Sequence, residues 1–388
     1  MSTPQPFRLA VPDSALAELR ERLARTRWPD EPPLEPWSTG TSLAYVKSLV
    51  DYWRTGFDWR AQEARLNAFE QYTVPIRGIE LHFLHVKGRS RNPKPLLVSH
   101  GWPGSVFEFL RLIPLLRDDF TVVAPSLPGY GLSFKPGQKR FAVEEIADLY
   151  AELMSVLGYE RFGAQGGDWG AFVASCLGHR HPKRLIGVHL NLLAVRRDPK
   201  EPARTPEEAA YLADLGRWLK EDMGYQWIQG TRPQTLAYGL TDSPAGLAAW
   251  IVEKFRAWSD CGGVIEHAIP RDEMLADISL YWFTGAIGSS FWPYYARMHG
   301  PWPIPEGSTV DVPVGYVEFP KEILKPPRSL AARTYTDIRR WTVMQKGGHF
   351  AAMERPEALA GEVRGFFAGV WDRGHVDWLH QGALSKGS

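Results

Sequence analysis

The chain carries only two cysteines, Cys176 and Cys261, in 388 residues. Neither sits in a C-x-x-C or similar spacing, so a zinc module and a disulfide-stapled secreted scaffold are both excluded. Both thiols read as buried apolar residues. No run approaches the roughly 18 apolar residues of a membrane span. The opening MSTPQPFRLAVPDS lacks the basic and apolar regions of a secretory signal. The net charge is +1, from 45 basic and 44 acidic residues, with no basic block or stripe. Nucleic acid and anionic membrane are therefore poor partners. There is no internal repeat and no low-complexity tract. These absences leave a soluble, cytoplasmic globular protein as the expectation. What the chain has in plenty is tryptophan (16) and proline (31), which suit an apolar pocket framed by rigid loops.

The order of patterns along the chain gives the fold class. PDSALAELRERLARTRWPD offers Asp13 or Ser14 as a helix N-cap, with Leu16, Leu19 and Leu23 on one face. SLAYVKSLVDYWRTGF puts Leu43, Val46, Val50 and Trp53 on a second stripe. This front segment holds no catalytic cluster and is expected to pack against the rest. From Tyr72, TVPIRGIELHFLHVKG reads as two strands turning at Arg77-Gly78. PLLVSH, FTVVAPS, RFGAQGGD and LIGVHLNLL follow as short apolar runs, with helical stretches such as EEIADLYAELMSVLG between them. Such alternation predicts a parallel sheet covered by helices on both faces. Around Arg196 it gives way to Trp-rich helical sequence, as an inserted lid would. VPVGYVEF and RRWTVMQK resume the strands, and ERPEALAGEVRGFFAGV closes the chain. The expected organisation is α/β: an N-terminal segment at 1–78, a core with a mostly parallel central sheet at 79–195 and 305–388, and a helical lid at 196–304.

One stretch raises the chemical question. In AQGGDWGAF, Gly166 and Gly170 flank Asp168 in the shape of the strand-to-helix turn G-x-S-x-G, with aspartate replacing serine. The bland alternative is that Asp168 merely caps the helix that follows. Other parts complete a constellation. HGWPGS follows an earlier strand and can present a backbone N–H to an oxyanion. The paired donors would be the backbones of Trp102 and Trp169, with His100 shaping the loop. His349, in the Gly-rich loop QKGGHFAAME, follows the last strand as a base should. Glu322 lies just past the strand VPVGYVEF and orients that base; Glu318 and Asp337 are worse placed. A carboxylate is already ionised at neutral pH and attacks without losing a proton. Attack on a saturated carbon gives an alkyl ester, which water activated by His349 hydrolyses. The leaving group is then an epoxide oxygen or a halide.

The chain resembles the epoxide hydrolases of the microsomal and juvenile-hormone type, which have the α/β-hydrolase fold. The likeness runs through PDSALAELRERLARTRWP, HGWPGS, GGDWG, MGYQWIQGTRPQTLAYGLTDSPAGLAAWI, FPKEIL and GGHFAAME, almost the whole length. It implies Asp168 as nucleophile, His349 as base and Glu322 as its partner. It also implies two lid tyrosines that hold and protonate the epoxide oxygen. Tyr225 matches the GY-x-x-IQ run. Tyr294 follows the Ser-Ser pair, with Tyr295 next door as the alternative. The implied reaction takes a small apolar epoxide and water to a vicinal diol through an ester on Asp168, with no cofactor and no metal. No membrane anchor is expected, because the chain begins at the packing segment; a homodimer is left open. A haloalkane dehalogenase on the same fold is the nearest rival, disfavoured by Tyr225, Tyr294 and the N-terminal segment. A catalytically inactive protein that binds apolar ligands is the other.

Overall fold

The computed structural model describes residues 3–196 and 202–371. Residues 197–201 and the outer ends of the 1–78 and 305–388 segments lie outside the described residues. The front segment supplies a two-residue strand, β1 (Gln5–Pro6), and helices α1 (Asp13–Ala24), α2 (Leu43–Thr55) and α3 (Trp59–Asn67). Helix α1 differs from expectation at its start. Pro12 holds the N-cap position with no side-chain cap, and Asp13 pairs instead with Arg60. Leu19 and Leu23 are buried, as are Val46, Leu49, Val50 and Trp53 of α2. Helix α3 has no counterpart in the sequence reading, because its inner face includes Gln62 and Glu63. Glu63 tolerates burial by accepting hydrogen bonds from the Val11 N–H at 2.8 Å, the Trp59 indole at 3.1 Å and Arg60.

Strands β2 (Gln71–Ile76) and β3 (Ile79–Val86) form an antiparallel hairpin. Its two turn residues, Arg77 (φ 46) and Gly78 (φ 84), both have positive φ. A two-residue hairpin needs this if its turn is to match the strands' right-handed twist. Strands β4 (Lys94–Ser99), β5 (Phe120–Pro125), β6 (Phe162–Gly166), β7 (Leu185–Leu190), β8 (Val314–Glu318) and β9 (Ile338–Val343) complete one nine-stranded sheet. Its order is β1-β2-β3-β5-β4-β6-β7-β8-β9. From β5 onward every pairing is parallel. β5 and β7 are buried along their whole length. They can be so only because helices cover both faces: α4 (Leu112–Leu116), α5 (Val143–Val156) and α6 (Asp168–Arg180) in the first half of the core.

Between β7 and β8 lie seven described helices: α7 (Pro206–Glu221), α8 (Gly224–Thr231), α9 (Pro233–Asp242), α10 (Pro244–Trp258), α11 (Arg271–Thr284), α12 (Ile287–Ser290) and α13 (Trp292–His299). Helices α14 (Arg328–Ala331), α15 (Ala351–Glu354) and α16 (Pro356–Trp371) complete the described chain. The front segment grips the α7–α13 layer directly. The Trp53 indole donates to Ser279 Oγ at 2.9 Å, Tyr52 to Asp272 at 2.7 Å, Tyr45 to Glu266 at 3.1 Å and Thr41 to the Ala249 carbonyl at 2.7 Å.

Candidate active site

At the end of β6 the backbone turns so sharply into α6 that Asp168 is held at φ 47, a left-handed conformation that a non-glycine residue rarely adopts. Strand and helix can meet this closely only over glycine. A Cβ on Gly166 would lie 2.1 Å from the Gly170 carbonyl oxygen, and one on Gly170 would lie 2.0 Å from that of Ser99. Gly167, not Asp168, occupies the N-cap position of α6. The Asp168 carboxylate is therefore left to face the ends of the neighbouring strands. One oxygen, Oδ1, accepts a hydrogen bond from the Trp102 backbone N–H at 2.8 Å. The Trp169 N–H lies in the first turn of α6, where no earlier carbonyl of the helix can reach it.

His349 approaches the other oxygen, its Nε2 lying 3.4 Å from Asp168 Oδ2. On the far side of the ring, Nδ1 donates to Glu322 Oε1 at 2.6 Å, which fixes the tautomer. Glu322 Oε1 is itself held by the Ile323 N–H at 2.7 Å. The His349 backbone N–H donates to the Trp258 carbonyl at 2.8 Å, so the end of α10 anchors the histidine loop. The side chains of His349 and Glu322 are almost wholly buried. Burial by itself would lower the imidazole, but Glu322 and Asp168 outweigh it and hold His349 well above its ordinary value.

His100 lies behind this line. Its Nε2 accepts from the Leu127 N–H at 3.0 Å and its Nδ1 donates to the Gly101 carbonyl at 3.0 Å. Burial lowers it to about 4, so it stays neutral and ties two loops together. A cavity of about 20 Å³ lies here, lined by Glu108, Asp168, Asn191 and His349 among others. No residue of the α7–α13 layer lines it, and its size admits one water.

On the opposite side of Asp168 the walls are aromatic. The Tyr225 ring stacks on Trp102 at 5.6 Å and 10°. Tyr294 meets Trp169 edge-on at 4.7 Å and lies 5.8 Å from Tyr225. Trp258 closes the ring of aromatics, 5.1 Å from Tyr225 and 5.1 Å from His349. The Tyr294 hydroxyl is buried with no hydrogen-bond partner. Its neighbour Tyr295 is directed elsewhere, stacking on Trp292 and His299. The two sequence candidates are therefore separated by geometry: Tyr294 shares the space of Asp168 and Tyr225, and Tyr295 does not.

Several residues found here carry no signal in the sequence. Trp258 is one. Lys254 is another, buried with Nζ 4.6 Å above the Tyr225 ring. Glu108 and Asp277 are a third pair; burial, with Asp277 adding to it, raises Glu108 well above the carboxylate range. Only the abundance of tryptophan hinted at any of these. Among the described residues, no group of three or more His, Cys, Asp or Glu side chains is arranged to hold a metal ion. Nor is any helix long and apolar enough to cross a membrane.

A mostly parallel sheet with an acid at its strand-to-helix elbow, a late histidine and an inserted helical layer defines an α/β-hydrolase, and comparison with known proteins agrees. The family model described as alpha/beta hydrolase fold matches residues 94–242, and that described as Epoxide hydrolase N terminus matches residues 4–109. A Stigmatella aurantiaca protein provisionally named an epoxide hydrolase is 46% identical over 374 residues, 93% of this chain and 84% of that one. Epoxide hydrolase 1 of Sus scrofa is 35% identical, over 93% of this chain and 88% of its own. The crystal structure of juvenile hormone epoxide hydrolase from Bombyx mori superposes with a TM-score of 0.86 at 30% identity, covering 96% of each chain. The chain belongs to the epoxide hydrolase family.

Proposed function

We propose that the chain opens epoxides in two covalent steps on Asp168, using Tyr225 and Tyr294 as acids and His349 with Glu322 as the base. The carrying observation is the continuous line from Asp168 through His349 to Glu322, with the Trp102 N–H already on the second Asp168 oxygen. In the first step Asp168 Oδ2 attacks a ring carbon, the carbon–oxygen bond of the epoxide breaks, and the oxygen takes a proton from a tyrosine. A phenol with pKa near ~10 stays protonated at neutral pH and still donates to an alkoxide. Burial raises both hydroxyls further, so neither ionises before the substrate demands it.

In the second step a water in the small cavity behind Asp168 gives a proton to His349 and attacks Cγ. The N–H groups of Trp102 and Trp169 hold the oxyanion. Collapse of the intermediate breaks the bond from Cγ to the alkyl oxygen, which takes the remaining proton of the attacking water and leaves as the diol, restoring Asp168 as a carboxylate; the proton on His349 returns to the tyrosinate. The electrostatics set this order. In the resting site His349 lies between two carboxylates that favour its charged form. Ester formation neutralises Asp168 and removes one of them, so the imidazole becomes a competent base only once there is an ester to hydrolyse.

Residues 196–304 act as the lid that carries the two acids. The aromatic walls fit a small apolar epoxide better than a charged one. A cytoplasmic setting belongs to the same reading, since both free thiols are buried and unpaired.

A single turnover in heavy-oxygen water tests the two steps. Heavy oxygen should appear in Asp168 and be absent from the diol, because water attacks the carboxyl carbon. His349→Gln should accumulate an enzyme heavier by the mass of the epoxide. Heavy oxygen in the diol after one turnover, with no adduct in the variant, would mean direct attack of water on the ring and would end the covalent reading.

A further inference from the structure

Tyr225 and Tyr294 share one space, yet their hydroxyls are supported differently. The Tyr294 hydroxyl has no hydrogen-bond partner. The Tyr225 hydroxyl lies 3.0 Å from Gln226 Nε2, and Gln226 Oε1 lies 2.9 Å from the Arg297 guanidinium. The proton positions follow from chemistry alone. A guanidinium has five N–H donors and no acceptor, so the atom of Gln226 facing it must be the carbonyl oxygen. The amide –NH₂ of Gln226 then faces Tyr225 and can only donate. The phenol oxygen is an acceptor toward Gln226, and its own proton points away from Gln226, free for another acceptor.

We propose that Gln226 and Arg297 are positioning residues that aim the Tyr225 proton at the epoxide oxygen and stabilise the tyrosinate formed as that proton leaves. The proposal rests on the reading of Tyr225 as an acid. Arg297 is half-buried, and that burial lowers its guanidinium from the ordinary value. The groups that favour its charge are Tyr294 and Tyr225, with no carboxylate among them. A half-buried cation whose neighbouring ionisable groups are two phenols gains its natural counterion when one phenol ionises. Arg297 stands on α13 and Gln226 on α8, 71 residues apart, so the relay also locks together the two helices that carry the tyrosines. The glutamine of the GY-x-x-IQ run, Gln229, takes no part; it accepts from the Trp250 indole at 2.9 Å.

The test separates the two chemical steps, with styrene oxide as probe. Alkylation is followed as the adduct mass within one turnover, and ester hydrolysis as loss of that adduct. Gln226→Met and Arg297→Met should each slow alkylation by roughly three- to tenfold, the kinetic equivalent of one hydrogen bond. Hydrolysis of the preformed ester should be unchanged, which also shows that each variant is folded. Gln226→Glu should slow alkylation more than Gln226→Met, because a carboxylate draws the Tyr225 proton away from the site. Arg297→Lys should recover part of the loss. In a Tyr225→Phe background, Arg297→Met should slow alkylation less than it does in the wild type, since only its influence on Tyr294 remains.

Equal slowing by Arg297→Met with and without the Tyr225 hydroxyl would overturn the relay and make Arg297 merely structural. No slowing at all would overturn it too, while leaving Tyr225 as an acid. Wild-type alkylation by Tyr225→Phe itself would remove the reading beneath the relay, so the two failures are distinguishable.

Discussion

Asp277 shows how one buried carboxyl can govern the response of the folded protein to pH. It lies on the inner side of α11 with both oxygens buried and no well-formed hydrogen bond, the Ser105 hydroxyl being the polar group beside it. Burial raises it from 3.8 to about 8, with only Ser105 acting in the other direction. The unfolded chain gives up this proton near 3.8, whereas the native state keeps it to about 8. Between those values the folded protein binds more protons, so its stability falls as pH rises. Asp277→Asn keeps the shape and removes the titration. Thermal melts should show no gain near pH 4 and a gain that grows toward pH 8; a gain independent of pH would mean that Asp277 is ionised throughout. Sequence alone could not reveal this residue. Asp277 is one acid in an ordinary helical pattern, and its importance comes from burial beside Ser105, far away in the chain. Gln226 and Arg297 were hidden for the same reason, because each matters only through the packing of α8 on α13. Asp168, Glu322 and His349 were legible because each stands at a strand end, where sequence order and function coincide.

At the scale of elements, the elbow between β6 and α6 concentrates the constraint. Gly170→Ala would drive a methyl group into the Ser99 carbonyl, 2.0 Å away. The strand and helix would have to separate, displacing Asp168 from the Trp102 N–H. Loss of activity together with a lower melting temperature is expected. Gly361, exposed on α16 with open space around its Cβ position, is the contrasting case. Gly361→Ala should stabilise the protein by about 0.5–1 kcal/mol, by restricting the unfolded chain. Equal melts for the two variants would show that the elbow relaxes more easily than its geometry implies. The longer strands and helices were legible from apolar periodicity, and the β2–β3 turn from Arg77-Gly78. β1 was not, since two residues carry no period. α3 was not either, because Glu63 and Gln62 read as surface and are buried by virtue of partners such as Val11 and Trp59.

At the scale of the whole molecule, the α7–α13 layer is fastened from outside as well as through its own connections. The four hydrogen bonds from Thr41, Tyr45, Tyr52 and Trp53 tie the front segment to α10, to Glu266 and to α11. Trp53→Phe keeps an aromatic ring in the core but leaves buried Ser279 without its donor, at a cost of about 1–3 kcal/mol. Hydrogen exchange should then quicken in α11 while β4 to β7 stay protected. Uniform quickening through the sheet would mean that the α7–α13 layer and the sheet open as one unit.

That fastening has a consequence for the order in which the protein is made. Trp53 emerges from the ribosome 226 residues before Ser279, and Thr41 208 residues before Ala249. At about 5–20 residues per second, the front helices wait on the order of 10–45 s for the surface that covers them. Throughout that interval Leu49, Val50 and Trp53, all buried at the end, lack the α7–α13 layer that later packs against this segment. Until then these apolar helix faces depend on whatever else shields them during synthesis.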